Sequence, residues 1–235
     1  MPALKDEIAA MSPSTRDALW FHVLFLAAAL PLVALSEGTA RGENLLWLTL
    51  GYHCALPLAS LVRRHHEWLF LWLFLLPLAA GQVLPDWALV RVAGVLVFPD
   101  LGQPRIGGDV PIYFLGLWMM LLFPVLLIGH SSRSPYLVTG LLSLALFAFW
   151  EWAARPLQIW YNRDVLAIDG MALYPLIPEM LLALAALWAY RHFGRGPIAG
   201  RLFAALGVNL FYTGACFLSL LAVEYIYRSA LLGIL

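Results

Sequence analysis

The chain has 235 residues, of which 63% are hydrophobic and only 12% charged, and its 14 basic residues balance its 14 acidic ones. Charged residues stand at about half their usual share in a soluble domain. With a mean hydropathy of +0.83, the composition excludes a water-soluble fold, which could not hide so much apolar surface, and the zero net charge supplies no basic field for nucleic acid.

Residues 1–17 form a polar N-terminal segment that ends in Ser12-Pro13-Ser14-Thr15-Arg16-Asp17. It lacks the short apolar core and small-residue cleavage site of a signal peptide, so the first apolar window is expected to stay in the membrane as a helix. Seven windows follow, at about 18–36, 44–62, 68–85, 110–129, 135–154, 173–191 and 203–227. Each is long enough, with some tilt, to cross a hydrocarbon layer that takes roughly 20 apolar residues. The expected fold class is therefore all-α integral membrane, a single transmembrane domain over 1–235 with about seven helices. Pro31, Pro57, Pro77 and Pro124 fall inside windows, where neighbouring helices can satisfy the carbonyls they free.

Two connections are long. One runs from Asp86 to Asp109 and the other from Arg155 to about Ala172. Both mix apolar, aromatic and acidic residues, which suits segments that lie in the interface or dip back between helices. Seven crossings put the N-terminus and the second, fourth and sixth loops on one side. That side holds eight basic residues (Lys5, Arg16, Arg63, Arg64, Arg133, Arg191, Arg195, Arg201) against six on the other, which favours a cytoplasmic N-terminus. The acids are divided more sharply. Glu37, Glu43, Asp86, Asp100, Asp109, Glu151, Asp164, Asp169, Glu179 and Glu224 all fall towards the opposite side, either as a solvated acidic rim or as the mouth of a pocket.

The long connections also resemble each other. Asp86-Trp87-Ala88 matches Glu151-Trp152-Ala153, Phe98-Pro99-Asp100 answers Tyr161 to Asp164, and Ile106-Gly107-Gly108 answers Ile168-Asp169-Gly170. Units of about 68–129 and 135–191 then form a parallel internal repeat, and sites tend to form where such repeats meet.

Glu151 ends the fifth window, Glu179 sits in the sixth and Glu224 near the end of the seventh. Ionisable groups at such depth are expensive and usually face a bundle interior. Apolar surroundings favour the neutral acid, and a carboxylic acid that stays protonated can hand a proton to a substrate. The bland alternative is an interhelical pair, such as Glu151 with Arg155, or an acid snorkelling to the interface. Trp152, Trp160, Tyr161, Tyr174 and Tyr225 lie on the same side. They read either as an aromatic belt or as cavity walls able to stabilise a cation. Asn162, Arg163, Asp164 and Asp169 could hold magnesium-pyrophosphate, but two dense Asp clusters are lacking. Cys54 and Cys216 read as small apolar packers, the six histidines lack zinc or di-iron spacing, and no dinucleotide or P-loop fingerprint is present.

Glu151-Trp152, Ile159-Trp160-Tyr161, Gly170 and Pro178-Glu179 opening an apolar helix resemble carotenoid-type lycopene cyclases. Small integral-membrane terpene cyclases are similar in size and span count. Pro178-Glu179-Met180 carries one acid where the family pattern has two. The resemblance implies duplicated helical halves and non-redox cyclisation of a polyprenyl chain, an isomerase- or lyase-class reaction of isoprenoid biosynthesis that starts from a carboxyl proton and needs no metal or other cofactor. It makes Glu179 the expected proton donor, with Glu151 and Asp86 orienting it or acting as base. Trp152, Trp160, Tyr161, Tyr174, Asp109, Asp164, Asp169, Glu224 and Tyr225 are expected substrate-binding residues, and the expected partners are an apolar isoprenoid-like molecule and the lipid bilayer. Two other readings stand beside it: a non-enzymatic transporter or lipid-binding protein, and a magnesium-dependent prenyltransferase.

Overall fold

The structure, a computed structural model, describes residues 12–227. Most of the expected polar segment, with Lys5, and Arg228 at the other end lie outside the described residues. Ser12 starts the first helix, α1 (Pro13–Ala34): its hydroxyl accepts from the Thr15 amide at 3.1 Å, and Pro13 occupies the first helical position, where no amide is needed. α2 (Gly38–Arg63) stops at Arg64, which turns left-handed at φ 59°. α3 (His66–Ala93), α4 (Phe114–Ser131), α5 (Pro135–Ala154), α6 (Leu176–Phe193) and α7 (Ile198–Ile226) complete the bundle.

The protein is an all-α, multi-pass integral membrane protein. Six of the helices are long and apolar enough to cross a bilayer. α6 packs between α5 and α7; Glu179 in its first turn is buried there, while Arg191 and His192 in its last turn are exposed. Burial separates inner from outer helices: half of α4's apolar window is buried, against 22% of α1's. α4 is therefore the axis of the bundle, with α3 and α5 against it. Gly116 lets α2 come close to α4, because an added Cβ would run into His53 and Thr49. There the His53 Nε2–H donates to the Gly116 carbonyl at 3.1 Å.

The two long connections share one plan. After α3 come β1 (Leu96–Val97) and a hairpin of β2 (Arg105–Ile106) and β3 (Val110–Pro111). After α5 come β4 (Tyr161–Asn162) and a hairpin of β5 (Ala167–Ile168) and β6 (Met171–Ala172). Helix, strand, hairpin and helix thus occur twice along the chain. β1 and β4 pair antiparallel, Leu96 with Asn162 and Val97 with Tyr161, which ties one copy to the other. The turn between β5 and β6 has positive φ at both central residues, Asp169 at 50° and Gly170 at 84°. This is the two-residue Asp-Gly turn whose twist suits a hairpin.

Several boundaries differ from the sequence reading: α1, α2 and α7 begin earlier than their windows, at Pro13, Gly38 and Ile198. Asp86 belongs to α3, not to a loop, because the helix restarts at Val83 and runs through Pro85, whose missing amide costs little in a first helical turn. The windows from 110 and 173 begin with hairpin residues, so α4 and α6 start at Phe114 and Leu176. The connections do not simply lie at the interface either, since Leu96, Phe98, Leu101 and Val110 are buried in the core.

Candidate functional site

Asp86, Glu151 and Glu179 are the only buried acids among the described residues. They stand on α3, α5 and α6, and all three line one small cavity of about 40 Å³. The remaining wall is aromatic and aliphatic: Phe98, Phe114, Trp118, Phe147, Trp150, Trp160, Tyr174 and Tyr212 among others. Trp118 anchors this wall, in ring contact with Phe147 at 5.7 Å and with Tyr212 at 5.8 Å.

The three carboxyls have different partners. Asp86 accepts from the Trp118 indole N–H at 3.1 Å. Glu151 is held at both oxygens: the Trp160 indole N–H donates to Oε1 at 3.0 Å and the Asn162 amide donates to Oε2 at 2.8 Å. Asn162 is itself oriented by the Tyr174 hydroxyl, which donates to its Oδ1 at 3.0 Å. Glu179 Oε2 is buried and has no hydrogen-bond partner. A buried polar atom of this kind is uncommon and calls for an explanation. Glu151 is thus held at both oxygens and Asp86 at one, while Glu179 has a free oxygen in the cavity.

The copies contribute matching parts. Asp86 and Glu151 lie in the last turns of the first helix of each unit, and each accepts from an indole of its own unit. The positions are related by the 65-residue offset seen in the sequence. The site is therefore built where the two copies face each other, with Glu179 added by α6.

Of the other residues expected at the site, Trp160 and Tyr174 line the cavity. Trp152 follows Glu151 on α5 and is 47% exposed, because adjacent helical residues point about 100° apart. Tyr161 alternates with Asn162 on β4 and is also exposed. Asp109 pairs with Arg91, and Asp169 occupies its turn. Asp164 is exposed at a left-handed position. Glu224 accepts from the Leu166 amide at 2.7 Å, and Tyr225 is exposed. None of these seven lines the cavity. The pair considered for Glu151, Arg155, gives way to Trp160 and Asn162. The possible magnesium set is also parted: Asn162 faces Glu151, while the Arg163 side chain donates to the Gly94 carbonyl. Among the described residues no group of three or more His, Cys, Asp and Glu side chains is arranged to hold a metal ion.

Trp118, Phe147, Tyr212 and the bonding role of Asn162 are additions to the sequence reading. The repeat does not point to Trp118, which lies 32 residues after its acid, whereas Trp160 lies 9 after Glu151. Tyr212, on α7, lies outside both copies.

A family model described as "Domain of unknown function (DUF6989)" matches residues 83–223. No curated protein and no solved structure gives a significant match. The matched stretch contains every residue that lines the acidic cavity.

Proposed function

Taking as premise that the chain belongs to the DUF6989 family, whose matched stretch carries all three buried acids, we propose that it is a membrane-embedded isoprenoid cyclase that works by proton transfer. The observation that carries this reading is the convergence of three carboxyls in one aromatic cavity, with a buried, partnerless oxygen on Glu179. No donor stabilises a negative charge on that oxygen, so Glu179 is the group that holds a proton. Asp86 and Glu151 accept indole and amide N–H bonds, which suits them to the anionic form.

The chemistry then balances without a redox partner. The Glu179 O–H breaks and its proton bonds to one carbon of a substrate double bond. The cation left on the other carbon is attacked by the electron pair of a second double bond, which closes a ring. A C–H proton beside the new cation passes to Glu151 or Asp86, and the C–H pair becomes a double bond. Proton exchange among the three carboxyls restores Glu179, and the product is an isomer of the substrate. The faces of Trp118, Trp150 and Trp160 support the cation, at about 0.5–2 kcal/mol per well-placed ring. Exclusion of water keeps the cation from being trapped as an alcohol.

The test is expression in an isoprenoid-producing host, with product analysis for wild type, Glu179→Gln and Glu151→Gln. Loss of a general acid costs about 10²–10⁴ in rate, so the cyclised product should all but vanish. Product at the wild-type level in both variants would sink the assignment. The surplus of basic residues supports a cytoplasmic N-terminus for this enzyme, which a protease-accessibility assay on sealed vesicles would check.

A further inference from the structure

A second, larger cavity lies beside the acidic one. It encloses about 280 Å³ between α1, α2, α4 and α5, close to the lower end of the 300–1,000 Å³ or so of a usual ligand pocket. Leu117, Leu121, Trp150 and Trp160 line both spaces. The chamber and the acidic cavity therefore share a wall of four side chains.

The chamber is dry in its chemistry. Its polar side chains, apart from the two shared indoles, are His22, Thr49 and Tyr52, and each is engaged within the protein. His22 Nδ1–H donates to the Ala18 carbonyl at 2.7 Å, so its Nε2 accepts from the Tyr52 hydroxyl at 2.9 Å. Thr49 donates to the Leu45 carbonyl at 2.8 Å. Such a surface offers a ligand contact area and little directional bonding, which suits a bare hydrocarbon chain and not a lipid headgroup. On the outer side Val23, Leu26 and Leu30 line the chamber yet remain 52%, 38% and 37% exposed. The opening thus lies along α1, towards the bilayer.

We propose that this chamber is the binding site for the unreacted hydrocarbon length of a linear polyprenyl substrate, which enters sideways from the bilayer past α1 and reaches the acids with one end. The inference rests on the cyclase reading for the fate of that end. Half of the chamber's lining residues belong to α1 and α2, outside the family-matched stretch. These helices therefore select chain length, while the matched stretch carries the acids.

The experiment uses the full chain in phosphatidylcholine nanodiscs with a diazirine-bearing geranylgeraniol, competed by unlabelled geranylgeraniol or by geraniol. Saturable labelling on α1, α4 and α5 is expected. Ala29→Phe and Leu146→Trp should each weaken geranylgeraniol binding about tenfold, with geraniol little affected. Glu179→Gln should bind as wild type does. Labelling that maps elsewhere in the wild-type protein overturns the proposal whether or not the filled variants fold. So does labelling that unlabelled geranylgeraniol cannot compete away, or undiminished binding in both filled variants. Chamber labelling combined with full turnover in Glu179→Gln would support the chamber and refute the acid mechanism, so the two failures are distinguishable.

Discussion

Glu179 and Glu151 share a cavity and a side-chain chemistry but differ in their partners, and that difference predicts how each responds to substitution. Asn162→Ala would leave Glu151 Oε2 and the Tyr174 hydroxyl without the bonds they now make. Each such buried loss costs about 1–3 kcal/mol, so the unfolding midpoint in detergent should fall clearly. Glu179→Gln removes no hydrogen bond from Oε2 and keeps the volume. Its midpoint should shift much less than that of Asn162→Ala even as activity is lost. The reverse order of the two midpoints would contradict the contrast between a held and a free carboxyl. At this scale the acids were legible, because a carboxyl inside an apolar run is conspicuous. Their neighbours were less so. Trp152 sits next to Glu151 in sequence but is turned outward by the helix, while Trp118 reaches Asp86 across 32 positions. Sequence adjacency is a poor guide to contact where the period is 3.6.

At the scale of elements, the helices could be read from apolar length alone, whereas the three short strand pairs could not. Two-residue strands leave no alternation to detect, and their residues are as apolar as the helices they precede. This is why the windows at 110 and 173 took in hairpin residues. The paired turns did leave a trace, since Gly107-Gly108 and Asp169-Gly170 are the positions at which the repeat was aligned and all four have positive φ. The turn gives Asp169 a conformational role that can be separated from its charge. Asp169→Asn keeps a residue that tolerates the left-handed region, so stability and turnover should stay near wild type. Gly170→Val puts a branched residue at φ 84° and should cost about 1–2 kcal/mol, visible as a lower midpoint. A loss of turnover in Asp169→Asn at unchanged stability would instead make the carboxylate a participant in the site.

For the whole molecule, the crossing of the membrane by the central helix α4 is the testable claim. That crossing puts the connection after α3 and the loop after α4 on opposite faces. With Cys54 and Cys216 replaced by alanine, Asp100→Cys and Ser132→Cys should react with a membrane-impermeant maleimide from opposite sides of sealed vesicles. Labelling of both from the same side would rule out this arrangement. The division of acids also takes a definite form. Of the ten expected on one side, Asp86, Glu151 and Glu179 are buried, while Glu37, Glu43, Asp100, Asp164 and Asp169 are exposed. The rim and the pocket, alternatives in the sequence, are both present.

The pairing of Leu96 with Asn162 makes the proton chemistry depend on registration. Side chains alternate along a strand, so a slip of one residue between β1 and β4 would point Tyr161 inward and turn the Asn162 amide away from Glu151. Two strands of two residues each thus act as an alignment key between the two halves of the chain, and the pairing of β4 with β1 holds Asn162 in register with Glu151. Amide exchange offers a direct view of that key. The Arg163 amide, bonded to the Val95 carbonyl at 2.9 Å, should exchange slowly in the intact protein. It should exchange at the rate of an open strand in any variant that keeps its helices but has lost its activity through misalignment.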